Sequence, residues 1–551
     1  MNMNHFQRVT FGLKVSTRVL ATIALIASGL ASTLQPAHAD WRSLSGGFLP
    51  AFAGVLNFKI SPDSRWVAFT VDKDTDDVTE LYAVSITGTT PIRLNPILVN
   101  GGDVGASRFA FTPDSKYVIY IADQEVDNRA ELYRVPVSGG DSVKLNTPLV
   151  SGGNVTDFKI DPDNARVVYL ADQQTNEIFE LWSITITGGG LFKLNGAFVS
   201  GGDIGLFDID RISDRVVYSA DQEVDGKFEL YSTPIAGGAF VKLNPPITLQ
   251  GGGDGGIYSE WAINPVNQVV VFVAREATAP GGRVYMVPTA GGTLTQLNFN
   301  LLSTQRVLNF RISPAGDRVV FNVGTRNGAT NAFKGDLYSA LIGGGGAEDL
   351  TEPADPTFGV DLSGFQFTPD GKYVVYGYQK NAASKPRLES SGVSSGVRAP
   401  LYAPSASDPQ FGFARISPNS QWVMYQDLAG GSPDRMYTVP PTGGGPTSFG
   451  RAQFKFITPD SNRIGYTRMI SDAINSTELF SAQIFGGDER NLSGMGGMGY
   501  VNDVSVSGDG KWIVYIAQMN GRYDLRVSDG NVAQPPIVTY YANLPVAARQ
   551  P

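Results

Sequence analysis

Three acidic loops carry the residue types that could do chemistry. Asp72, Asp74 and Asp76 alternate along one stretch and Glu80 follows, so carboxylates stand at positions 1, 3, 5 and 9. Asp123, Glu125, Asp127 and Glu131 repeat the spacing, as do Asp221, Glu223, Asp225 and Glu229, with Gly226 at the sharp turn. Hard oxygen ligands at alternate positions of a tight loop suit Ca²⁺. The same residue types also close hairpin loops by accepting N–H groups of their own backbone. Both readings fit this spacing.

Much other chemistry is excluded. The chain has no cysteine, and its two histidines, His5 and His38, fall within the first 39 residues. Those residues read as a cleaved export signal. Arg8, Lys14 and Arg18 precede an apolar run from Val19 to Leu34, and Ala37-His38-Ala39 supplies a small-x-small cleavage pattern. Residues 40–551 then contain neither His nor Cys, which removes Ser-His-Asp and Cys-His nucleophiles and any zinc, copper or haem site built on imidazole or thiolate. No cofactor is required, and calcium is the ion the loops suit. Without the leader, 40 Lys and Arg face 52 Asp and Glu, a net charge of −12. That balance opposes nucleic-acid binding. No later apolar stretch reaches about 18 residues, so the mature chain is expected to lack a transmembrane segment and to be periplasmic or secreted.

The elements that hold the loops repeat about every 49 residues. Each repeat opens on a Ser, Thr, Asp or Asn, at Ser61, Thr112, Asp161, Asp210, Asn264, Ser313, Thr368, Ser417, Thr458 and Ser507. Pro follows in eight of these ten; Arg211 and Gly508 replace it in the fourth and tenth. Pro presets φ for a tight turn, and Asp, Asn or Gly tolerate the positions after it. Apolar strands such as Trp66-Val-Ala-Phe69 and Tyr117-Val-Ile-Tyr120 flank the turn. A third strand reads Glu131-Leu-Tyr133 or Glu229-Leu-Tyr231, a Gly-Gly turn follows, and a fourth strand ends Lys144-Leu-Asn146 or Lys242-Leu-Asn244. Four short strands per repeat predict an all-β fold, a β-propeller of ten four-stranded blades. One large ring is preferred over two smaller propellers, with the irregular stretch from Gln379 to Phe413 as the candidate seam. A strand at Leu44–Gly47 is expected to complete the last blade, with Val532–Tyr541 as the alternative. Tyr120, Tyr169, Tyr218 and Phe272 read as blade core, and Gly251–Gly256 as a connector.

Ser61-Pro62-Asp63, Thr368-Pro369-Asp370-Gly371-Lys372, the Glu-Leu-Tyr strand and the Gly-Gly turn resemble the TolB-like PD40 (WD40-like) β-propeller repeat family. The resemblance covers nearly all of residues 40–541. It implies a periplasmic or secreted propeller that binds other proteins in the cell envelope. In a four-stranded antiparallel blade, the loops after strands two and four emerge at one end, and those are the loops this chain lengthens. That acidic rim is the expected interaction surface of a non-enzymatic binding module. The alternatives are a glycan-active enzyme working through paired carboxylates and a structural envelope protein.

Overall fold

The computed structural model describes residues 41–47, 49, 53–244, 256–257, 260–276, 279–326, 333–351, 359–379, 387–402, 414–427, 435–471 and 476–530. The leader, Gly251–Gly255 and Val532–Tyr541 lie outside them. The described residues form strands and turns without a helix, and no helix among them is long and apolar enough to cross a membrane.

The strands make eight four-stranded antiparallel sheets and one of eight strands. The eight-stranded sheet is two blades joined where Gly335 pairs with Val360, so the chain forms a ten-bladed propeller. Blade 1 is typical: Val55–Ile60, Trp66–Asp72, Thr79–Ser85 and Ile92–Arg93 pair in sequence order. Its second strand is buried almost throughout because both faces are covered. Val67, Phe69 and Val71 pack towards blade 10, whereas Ala68 packs towards blade 2.

This alternation generates one apolar cluster at each blade boundary, ten in all, including the boundary between blades 10 and 1. The irregular seventh blade is no break. Val375, Leu388 and Leu401 continue the core into Val423, Tyr425 and Val439 of blade 8. A single ring of ten blades follows. Tyr120, Tyr169, Tyr218 and Phe272 are fully buried in these seams, each contributing roughly 1.5–3 kcal/mol by apolar burial.

The ring closes through its first strand. Trp41–Ser43 pairs with Arg522–Asp529, three residues ahead of the expected Leu44–Gly47, although Leu44 N–H still reaches Leu525 C=O at 2.7 Å. Asp524 accepts the Ser43 and Ser45 hydroxyls at 2.6 and 2.7 Å and pairs with Arg526 at 2.8 Å. Arg526 in turn lies 3.6 Å from the Trp41 ring centroid. The sequence pattern places the strand late because Leu44 and Ser45 are themselves buried beyond the strand end.

The repeat motifs interlock within blades 1 to 4. The Asn that ends Lys-Leu-Asn (Arg93-Leu-Asn95 in blade 1) accepts the N–H of the Leu after the strand-three Glu: Asn95 to Leu81, Asn146 to Leu132, Asn195 to Leu181 and Asn244 to Leu230, at 2.7–3.0 Å. The short fourth strand is thereby held where its ladder ends.

Candidate functional site

At the loop end of the ring, the strand-two Asp of blades 2, 3 and 4 binds two stretches of backbone. Asp123 accepts Asn128 N–H on one oxygen at 2.9 Å and Asp103 N–H on the other at 2.5 Å. Asp103 lies in the connector entering the same blade, and its own carboxylate accepts Thr79 N–H of blade 1 at 2.6 Å. The same relay runs Ala130, Asn154, Asp172 and Phe179, Asp203, Asp221. Asp172 and Asp221 also close their own loops through Glu177 and Gly226 N–H. Three successive blade boundaries are therefore stapled by connector side chains, Asp103, Asn154 and Asp203, each held by a strand-two aspartate.

The connector turn depends on glycine. Gly101 and Gly201 adopt φ of 85° and 87°, and a Cβ there would meet the Asp127 or Asp225 carboxylate within 3 Å. Asp127 and Asp225 thus pack against the connector rather than beside the other acids of their loops.

The Glu residues meet lysine. Glu125 and Glu131 both pair with Lys144, at 2.7 and 2.9 Å, and Glu223 and Glu229 both pair with Lys242, at 2.9 and 2.7 Å. Burial opposes the Lys144 and Lys242 ammonium groups, but the paired carboxylates hold their pKa above the ordinary lysine value. The hydrogen bond from Lys242 holds Glu223 below the usual glutamate range.

Blade 1 differs. Glu80 is fully buried and accepts Lys73 and Asp74 N–H at 3.3 and 3.0 Å, while Asp74 accepts the Tyr82 hydroxyl. Arg93 lies 3.8 Å from Asp74 and 3.7 Å from Glu80. Gly54 stands where Asp103 stands in blade 2. One Asp72 oxygen has no hydrogen-bond partner, while the other accepts Asp77 N–H at 3.2 Å. Asp72, Asp76 and Asp77 bring carboxylate oxygens within 4.8 Å of one another, the one such trio among the described residues. Burial, and then the charges of Asp76, Asp77 and Asp103, raise the Asp72 pKa. Of the twelve carboxylates singled out by spacing, the structure gathers only Asp72 and Asp76 in this way, and Asp77 replaces Asp74 and Glu80 as their companion.

Apolar tips stand among these fixed charges. Val126 and Val224 hold the same position in the loops of blades 2 and 4 and are 45% and 53% exposed. Ile97 and Leu302, from connectors at the same end, are 88% and 68% exposed. The sequence reading stressed the acidic character and passed over these side chains, although Asp-Gln-Glu-Val-Asp occurs twice.

No family model and no curated protein matches this sequence. Among solved structures, a protein assigned as TolB from Agrobacterium tumefaciens is 14% identical, with 46% of this chain and 86% of that one covered and a TM-score of 0.27. An oligogalacturonate lyase from Vibrio parahaemolyticus is 15% identical over 74% of this chain and 100% of that one, TM-score 0.33. A eukaryotic initiation factor is 10% identical over 76% and 92%, TM-score 0.44. At these values the neighbours bear on neither activity nor partner, and the propeller stands on this chain's own sheets.

Proposed function

We propose that this chain is an exported, non-enzymatic propeller that binds a protein partner in the periplasm or cell envelope through its loop end. The observation that carries the reading is the pairing of exposed Val126 and Val224 with carboxylates already fixed by backbone and lysine. Apolar tips in an ordered polar frame suit a protein interface, because little side-chain freedom remains to be lost on binding. Glu125 and Glu223 remain half-exposed on this surface, which favours a partner bearing both basic and apolar groups.

Glycan cleavage needs two carboxylates free to exchange protons with substrate. The Glu125–Glu131 and Glu223–Glu229 pairs each share a lysine, and the arrangement recurs in blades 2 and 4 rather than marking one unique centre. Both features favour the binding reading.

Capture from envelope extract on the immobilised full chain tests it, with Val126→Arg/Val224→Arg as the matched control. A protein held by the natural chain and lost by a variant of unchanged Tm is the expected result. Capture of the same proteins by both would remove the loop end as the binding surface.

A further inference from the structure

At the end opposite the acidic loops, the first strands of blades 1 to 3 and the first turns of blades 1 to 4 line a recess of about 810 Å³. First strands of neighbouring blades approach one another, as Val55–Ile60 approaches Val104–Phe111, so this recess lies in the wall around the ring's axis. Cations from four consecutive blades line it: Lys59, Arg108, Lys159 and Arg211. Lys59 donates to Phe109 C=O at 2.5 Å and lies 5.0 Å from that ring's centroid. Lys159 pairs with Asp208 at 2.9 Å. Arg108 and Arg211 are exposed and make no hydrogen bond or ion pair among the described residues. Asp157 is the carboxylate in the lining, and it accepts Phe158 N–H at 2.8 Å.

Two features set the recess apart from a solvated charged face. The chain carries a net charge of −9, yet here four cations meet two carboxylates, Asp157 in the lining and the Asp208 that pairs with Lys159. Arg211 also stands where Pro62, Pro113 and Pro162 stand in the three preceding blades, all of them lining the same recess. Blade 4 therefore has a guanidinium in place of a residue that stiffens the turn.

We propose that this recess binds a small polyanion bearing two or more carboxylate or phosphate groups, with Arg108 and Arg211 as its principal contacts. A guanidinium matches either anion through two parallel N–H donors. Lys59, held by a neutral carbonyl, adds positive potential in a concave wall that concentrates the field, whereas Lys159 is offset by its Asp208 partner. The volume falls within the range of small-molecule sites. The site lies at the other end of the ring from the proposed protein interface and is independent of it.

Titration calorimetry of the full chain with citrate and with tripolyphosphate, at low and at raised salt, tests the proposal. Saturable binding that weakens with salt is expected, and the tighter of the two probes identifies carboxylate or phosphate as the recognised group. Arg108→Gln and Arg211→Gln should each weaken that binding about tenfold, the size of a lost charge-assisted hydrogen bond. Arg211→Pro, which restores the residue of the preceding blades, should weaken it alike. Asp157→Asn should tighten it, an outcome that a misfolded variant would not mimic. Failure of both probes to bind the natural chain would overturn the proposal, as would binding that none of these four substitutions changes.

Discussion

At the turn end of the ring, Asp114, Asp370, Asp460 and Asp509 each accept the hydroxyl of a Ser or Thr two residues earlier, at 2.6–2.7 Å. At the loop end, Asp123, Asp172 and Asp221 accept an N–H from a connector 18 or 20 residues away. One residue type thus serves a local purpose at one end and a non-local purpose at the other. The turn end is built from self-contained units, and its blade-to-blade links pass through separate hydroxyls, as when Asp63 N–H reaches Ser115 Oγ at 3.1 Å. The loop end concentrates both tasks in the same carboxylate. Removing an aspartate there frees its own loop and also the connector whose side chain carries the bond to the preceding blade.

The largest expected effect follows directly. Asp123→Ala leaves Asn128 and Asp103 N–H without their acceptor, and should cost about 1–3 kcal/mol in denaturant unfolding. Asp509→Ala removes local turn bonds only, and should cost about 0.5–1.5 kcal/mol. Equal losses at the two positions would erase the distinction between the ends.

Acid should separate the ends in sign. For Asp509, burial opposes ionisation, but the Ser507 hydroxyl and Lys511 N–H hold its pKa below the ordinary aspartate value. A depressed carboxylate contributes stability above its unfolded pKa of about 3.9 and loses it as pH falls through the folded value. The deficit of Asp509→Asn at pH 7 should therefore vanish in strong acid. Asp72 and Asp203 are shifted the other way, by burial first and neighbouring carboxylates after it. Their ionisation opposes folding at neutral pH, and the opposition is relieved as pH falls through their raised values. Asp72→Asn should be neutral or stabilising at pH 7, with the gain disappearing in acid; Tm against pH for both variants decides it.

The smallest effect concerns calcium. The lysine-paired loops of blades 2 and 4 have little reason to bind it, whereas the Asp72–Asp76–Asp77 trio does. Millimolar Ca²⁺ against a chelator should raise Tm by no more than about 1–2 °C, and Asp76→Asn should remove the shift. A larger shift that survives Asp76→Asn would move the ion to the other loops.

Strand order, turn positions and blade number were legible because each rests on neighbours in the chain. Ser61-Pro62-Asp63 closes on itself, and the Trp66–Asp72 pattern reports two covered faces wherever its blade stands. The acidic loops were legible as loops. Their roles were not, since Glu125 beside Glu131 looks like a ligand pair until Lys144 is placed between them.

Composition and a recurring turn were enough to specify a sheet module, to count its copies, and to rule out imidazole and thiolate chemistry in residues 40–551. Tertiary structure alone decided which carboxylate oxygens were spent on backbone, that Trp41–Ser43 seals the ring, and that Lys59, Arg108, Lys159 and Arg211 share one recess. The reason is physical. A turn's energy is set by φ preferences and hydrogen bonds within a few residues, whereas a contact between blades depends on the angle and register at which separate sheets stack. Radial packing sets those quantities, and no short stretch of the chain contains them.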